Sequence, residues 1–132
     1  MRSMSSEALL EQAQEARKFA YAPYSKFTVG AAVDVGDGKV VTGCNVENAS
    51  YGLSICAERV ALCNAVAQGY TRVYAIAVAG PESGATVPCG GCRQFMAEFD
   101  PNLPVSYTAP GRPVHTSLGE LLPHSFGPSN LK

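Results

Sequence analysis

The chain carries little charge and no excess of base. Of its 132 residues 16% are charged, with 10 Lys plus Arg against 11 Asp plus Glu, for a formal net charge of -1. The isoelectric point is about 6.1. No basic surface is advertised for a polyanion, which argues against a nucleic-acid binder. No apolar run reaches the length that spans a bilayer, and the stretch from Met1 to Glu7 lacks the apolar core of a signal peptide. The expected location is the cytoplasm, with no membrane partner. The cysteine count is five, an odd number that rules out a complete set of disulfides within one chain. In a reducing compartment such residues bind metal or lie buried. Internal repeats and low-complexity tracts are also missing. What is present is a 46% hydrophobic composition, enough to bury a core in one domain spanning residues 1–132. Residues 124–132 show no periodicity and read as a C-terminal tail.

From Ser6 to Ala20 apolar residues recur at helical spacing (Leu9, Leu10, Ala13, Ala16, Phe19, Ala20), with Ser5 or Ser6 as cap and Pro23 as a stop. Tyr21 to Phe27 is a loop with three aromatic rings, expected to cover the edge of the core. Phe27 stands apart because it leads directly into a strand. Thr28 to Val35 is rich in β-branched residues and closes at Gly36-Asp37-Gly38, a hairpin signal, and Lys39 to Val46 returns as the partner strand. After the polar loop Glu47 to Ser54 the pattern predicts a helix from Cys56 to Gln68, ended by Gly69. Val73 to Ala79 reads as a strand buried on both faces, and Gly90 to Phe99 as another helix. Leu103 to Thr108 is a short strand, placed at an edge by Pro104 and Pro110. Ser117 to Leu122 is a brief helix with Ser117 as cap and Glu120 at the capping-box position.

This order belongs to an α/β protein, a mixed sheet flanked by helices around a parallel β-α-β-α core. In such a core each helix starts just beyond the carboxyl end of the preceding strand. Helix N-termini then open onto one edge of the sheet, where ligand crevices lie. Cys56-Ala57-Glu58-Arg59 and Pro88-Cys89-Gly90-Gly91-Cys92-Arg93-Gln94 stand at two of those N-termini. Topology alone can bring them together.

Cys56, Cys89 and Cys92 are three candidate zinc ligands, and a catalytic zinc keeps its fourth position for water. Gly90 and Gly91 are read as permitting the tight turn that lets Cys89 and Cys92 face one ion. A Cys-x-x-Cys pair alone also fits a redox dithiol, but that role has no use for Cys56 or Glu58. Glu58 can share the target of Cys56 only from the first helical turn, where side chains lean toward the N-terminus. Three thiolates on a divalent cation leave a net negative centre, which two helix N-termini and Arg59, with Arg93 as a further candidate, can offset. A structural zinc would want a fourth ligand, for which Cys44, His115 and His124 lack any paired spacing. Cys44 in a strand and Cys63 on an apolar helix face read as small core residues.

Cys-Ala-Glu followed by Pro-Cys-x-x-Cys-Arg-Gln resembles the all-cysteine branch of the zinc nucleoside deaminases, and the whole chain is similar to the small cytidine deaminases. Tyr24 to Gly30, Gly43 to Gly52 and Leu121-Leu122-Pro123 before Phe126 extend the resemblance. It implies a three-layer α/β/α fold with a central mixed sheet of about five strands and one zinc ion per subunit. It also implies hydrolytic deamination of cytidine and 2'-deoxycytidine in pyrimidine salvage. The known chemistry of that class comes with the resemblance: zinc-activated water attacks C4 of the base, and a glutamate that is not a ligand moves the protons. Glu58 takes that role. Asn45 and Glu47 match the ribose-binding pair, Phe27 packs on the base or sugar, and the backbone at Ala57 faces the pyrimidine. The family implies a homotetramer with pockets shared between subunits, to which Phe126 reaches across and Tyr51 adds a contact. Gly91 departs from the small side chain common at that position. A carboxylate at Glu47 would repel a 3'-phosphate, which favours a free nucleoside over a strand. The competing readings are a non-catalytic zinc-stabilised module, or a deaminase of another aminopyrimidine such as a nucleoside antibiotic or a polynucleotide.

Overall fold

The computed structural model describes residues 4–131. Among these residues nine helices and strands follow one another as α1 (Ser6–Ala16), β1 (Gly30–Gly36), β2 (Lys39–Cys44), α2 (Ala57–Ala67), β3 (Ala75–Ala79), α3 (Gly90–Ala97), β4 (Pro104–Tyr107), β5 (Val114–Ser117) and α4 (Leu118–Leu121), besides short 3-10 turns. The strands form one sheet in the order β2-β1-β3-β4-β5. β1 runs antiparallel to both β2 and β3, so those two run the same way, and β4 is parallel to β3. Three strands thus point their carboxyl ends to one edge, and α2 and α3 begin beyond that edge.

The two faces of the sheet carry different side chains for a geometric reason. Successive residues of a strand point to opposite faces. Ala32, Ala77 and Ala79 face α1, whose Leu9, Leu10 and Ala13 complete that cluster. Ala31, Val33 and Val35 face the other way, with Ile76, Val78 and Val105, against Ala61, Leu62 and Ala65 of α2 and Met96 of α3. Small residues on the first face let α1 lie close: a Cβ on Gly30 would collide with the Ala13 carbonyl. Helix, sheet and helix make three layers, as the resemblance implied.

Several expectations change in detail. α1 ends at Ala16 and continues as a 3-10 turn over Arg17–Phe19, which leaves the Phe19 ring exposed. Ser5 does cap α1, its side chain accepting from the Ala8 amide. β4 is not the edge strand, because β5, unseen in the sequence pattern, pairs with it from Pro104↔Ser117 to Tyr107↔Val114. Pro104 is tolerated as the first residue of its strand. Ser117 accepts the Glu120 amide and so forms one half of a capping box, while the Glu120 carboxylate accepts from the Thr116 hydroxyl. The aromatic loop does not cover the core: Tyr21, Tyr24 and Phe27 are all exposed. Cys63 lies exposed on the outer face of α2 and is no core residue.

Candidate metal centre

Two β-α junctions build the site. The chain leaves β2 at Cys44 and passes through a small extended cluster. There Val46 exchanges backbone hydrogen bonds with Ile55 at 3.0 and 2.9 Å, and Tyr21 bonds Asn45 and Glu47 at 2.9 and 2.8 Å. Ile55 therefore reaches Cys56 on a held backbone. Gly43 brings β2 against the first turns of α2 so closely that a Cβ would strike the Ala61 amide. On the other side Thr86, buried, bonds Thr108 through its amide at 2.9 Å, and the Thr108 hydroxyl accepts from the Gly80 amide at 2.9 Å. These bonds close the 81–87 loop ahead of Pro88 and Cys89.

Two of the three sulfurs come from N-cap positions. Cys56 caps α2 and Cys89 caps α3, each with extended backbone and with no side-chain bond to its own helix. The sulfur stands where a hydroxyl or carboxylate usually takes up the free amides of the first turn. Cys92 sits three residues into α3 and is fully buried. The Cys56 and Cys89 sulfurs are 3.9 Å apart and those of Cys89 and Cys92 3.5 Å, all three within 4.8 Å of one another. Zn–S bonds of about 2.3 Å in tetrahedral array place sulfurs about 3.8 Å apart, so the donor set fits zinc. Among the described residues no His, Asp, Glu or further Cys joins the three; Cys44, His115 and His124 stay outside.

The glycines between Cys89 and Cys92 are not what makes this possible. Gly90 and Gly91 are helical, neither has a positive φ, and a Cβ on either would meet open space. The N-cap and third helical positions face one point by helix geometry alone.

Charge around the sulfurs is uneven. One terminal nitrogen of Arg59 lies 3.6 Å from the Cys56 sulfur, while the Arg59 Nε is buried without a partner. The Cys56 thiol is pushed down to about 5, first by the hydrogen bond from Cys92 and then by those from Arg59 and Cys89, against the cost of burial. Cys92 moves the opposite way, raised first by the hydrogen bond it donates to Cys56, which holds its proton in place, and then by burial. Arg93, expected as a further donor to the sulfurs, is turned elsewhere: its Nε donates to the Pro88 carbonyl and a terminal nitrogen to the Leu121 carbonyl, both at 2.9 Å.

Glu58 is the second residue of α2 and is buried beside the thiols. Burial raises its pKa above the ordinary carboxylate value, and the Cys56 thiolate adds to the effect. A carboxyl group raised in this way takes up a proton more readily than an ordinary carboxylate and can still return it, as a proton carrier must. Ala57, just ahead of it, is fully buried.

The remaining site candidates gather in the neighbouring loops. Asn45 is already engaged at both ends of its amide, accepting from the Val29 amide at 2.9 Å and donating to the Phe27 carbonyl at 2.8 Å. Glu47 accepts the Tyr24 and Ser25 amides at 3.0 and 3.2 Å and the Ser25 hydroxyl. Its pKa is lowered, chiefly by that hydroxyl. The pair therefore organises the loop carrying Phe27, and sequence reading missed this part of its work because the partners lie about twenty residues away. A hollow of about 320 Å³ opens beside Glu47, lined also by Tyr24, Ser25, Tyr51 and Ser54. A larger one of about 650 Å³ between α3, α4 and the tail holds none of the cluster residues; the donor chemistry, not the volume, marks the site. Phe126 is exposed, and its carbonyl accepts from Gln94 of α3 at 2.9 Å. A second short signal, Arg93-Gln94 directly after the last cysteine, could have pointed to this tie.

A family model described as the cytidine and deoxycytidylate deaminase zinc-binding region matches residues 3–107. A cytidine deaminase of Halalkalibacterium halodurans is 46% identical over 125 residues, covering 93% of this chain and 95% of its own. One from Sporosarcina psychrophila is 42% identical over 130 residues, or 97% and 96% of the two chains. The crystal structure of a cytidine deaminase from Burkholderia pseudomallei superposes with a TM-score of 0.86 at 53% identity, covering 93% of this chain and 100% of the other.

Proposed function

The chain belongs to the cytidine and deoxycytidylate deaminase zinc-binding family, and from that premise we propose that it hydrolyses cytidine and 2'-deoxycytidine to uridine and 2'-deoxyuridine with release of ammonia. The observation that carries the reading is the convergence of three sulfurs at zinc spacing with a buried carboxyl group beside them. Cys56, Cys89 and Cys92 hold the ion. When bound, zinc supplies the Lewis acidity that makes water a nucleophile near neutral pH.

The chain's own residues do the rest. Glu58 accepts a proton from the water at its carboxylate and delivers it to N3 of the ring. A C4–O bond forms; Glu58 then carries the remaining hydroxyl proton to the amino nitrogen, the C4–N bond breaks, and ammonia departs as the C4 carbonyl forms. The raised pKa of Glu58 suits both transfers, because a base of ordinary carboxylate strength would take the proton less readily. Arg59 holds positive charge against Cys56, and the free amides at two helix N-termini face the sulfurs. Both lower the negative charge that three thiolates bring. Ala57 turns its backbone to the pyrimidine and Phe27 covers the base or sugar. Asn45 retains one amide hydrogen and Glu47 spare lone pairs for ribose hydroxyls.

Residues 1–132 act as one catalytic unit, with 124–132 as its tail. The exposed apolar side chains Tyr51, Leu53 and Ile55 flank the Glu47 loop. Such a patch asks for a cover, and in this reading further copies supply it, giving a homotetramer with shared pockets to which Phe126 contributes. No helix among the described residues is long and apolar enough to cross a membrane. All five cysteines are free, and the reading places the enzyme in the cytoplasm, where thiols persist.

The test pairs zinc quantification with the ultraviolet loss of cytidine. The parent is expected to hold one zinc per chain and to turn over. Glu58→Gln should keep the zinc and lose at least about 100-fold in turnover, the lower end of the proton-transfer contribution. Undiminished turnover would remove Glu58 from the mechanism.

A further inference from the structure

The guanidinium of Arg93 joins two pieces of backbone that are 33 residues apart in the chain, the Pro88 carbonyl and the Leu121 carbonyl, each at 2.9 Å. Pro88 is fully buried and immediately precedes the ligand Cys89. Its nitrogen cannot donate, so its carbonyl is the one handle by which this turn can be held. Leu121 is the last residue of α4, where carbonyls lack intrahelical partners, and a cationic side chain is a good substitute. The backbone amide of Arg93 also bonds the Cys89 carbonyl at 2.9 Å. One residue therefore grips the chain on both sides of the Pro88-Cys89 bond while sitting next to Cys92. Gln94 adds a second tie to the same segment through the Phe126 carbonyl, at 2.9 Å.

We infer that Arg93 is a positioning residue that ties the backbone ahead of Cys89 to the end of α4, so that the grip of the thiols on zinc and the order of the segment carrying Phe126 rise and fall together. The inference rests on the zinc reading of the three thiols, and it goes beyond that reading by linking the metal to the tail. A planar fork is needed for it, since one ammonium group cannot hold two carbonyls in fixed directions. Groups that orient metal ligands from behind change metal affinity or activity by 10- to 100-fold when removed. Linkage is reciprocal: if ordering the tail tightens the zinc site, zinc must order the tail.

The experiment uses the zinc-loaded full chain and two readouts other than activity. Zinc transfer to an excess of a chromogenic chelator is timed for the parent, Arg93→Met, Arg93→Lys and Leu9→Ala. Leu9, on α1, lies in the core on the opposite face of the sheet and reports what general loosening does. Hydrogen exchange of the amides from Leu122 to Gly127 is followed in the zinc-loaded and zinc-stripped parent. The expected result is transfer about tenfold faster in Arg93→Met than in the parent or Leu9→Ala, with Arg93→Lys between. Exchange from Leu122 to Gly127 should quicken when zinc is stripped. Transfer in Arg93→Met within twofold of the parent, or equalled by Leu9→Ala, overturns the inference, as does exchange that ignores zinc. A parent that purifies without zinc contradicts the zinc reading itself, a separate result from an unaffected Arg93→Met.

Discussion

At the residue scale the cluster is asymmetric, and the asymmetry follows from which side chain points at which sulfur. Cys56 accepts hydrogen bonds from the Cys92 thiol and from Arg59 and is pushed down to about 5, whereas Cys92, which donates and is buried, is raised. In zinc-free protein Cys56 is therefore the thiolate of the group. The sign is simple: a lowered thiol pKa means the reactive anion is present at any pH above it, and alkylation tracks that anion. Iodoacetamide labelling of the Cys56 peptide in stripped protein should rise through about pH 5 and level off by pH 7. A midpoint for Cys56 near pH 8.5, the value of a free thiol, would show that its neighbours Arg59 and Cys92 do not act on it in this way.

The elements explain why the sulfurs meet. β2 and β3 run the same way with β1 between them, so α2 and α3 start at one edge. Within each junction, N-cap geometry aims the sulfur. Two glycine substitutions separate position from chemistry. Gly91→Ala meets open space in a helix and should keep zinc while raising stability by roughly 0.5–1 kcal/mol, the helix cost of glycine. Gly43→Ala forces β2 off the start of α2, because its Cβ would overlap the Ala61 amide; it should destabilise by about 1–3 kcal/mol and weaken zinc retention. Thermal unfolding with zinc analysis checks both. If Gly91→Ala lost the metal, the glycine turn read from the sequence would be right after all.

Much of this was legible in the chain and some was not, for physical reasons. The cysteine spacing, Glu58 and the helices behind them are local patterns, and the rule that places successive helices along a parallel sheet supplies the remaining distance. β5 escaped because Val114-His115-Thr116-Ser117 has no apolar alternation; its pairing with β4, not its composition, makes it a strand. The bonds of Asn45 and Glu47, and that of Arg93 to Leu121, escaped because each joins residues far apart in sequence. Cys63 was misread because helical spacing does not say which apolar positions a neighbour covers.

On the scale of the whole molecule, the metal is the point where two halves of the chain are joined. One of the proposed ligands comes from the β2-α2 unit and two from the unit after β3, so in this reading zinc binding is also folding energy. The account stands on that ion having three sulfur neighbours and one position open to water. X-ray absorption at the zinc edge of freshly purified, active protein measures this directly. The account predicts three sulfurs at about 2.3 Å and one lighter neighbour. A fourth sulfur, or the ring signature of a histidine in the shell, would close the open position and contradict it.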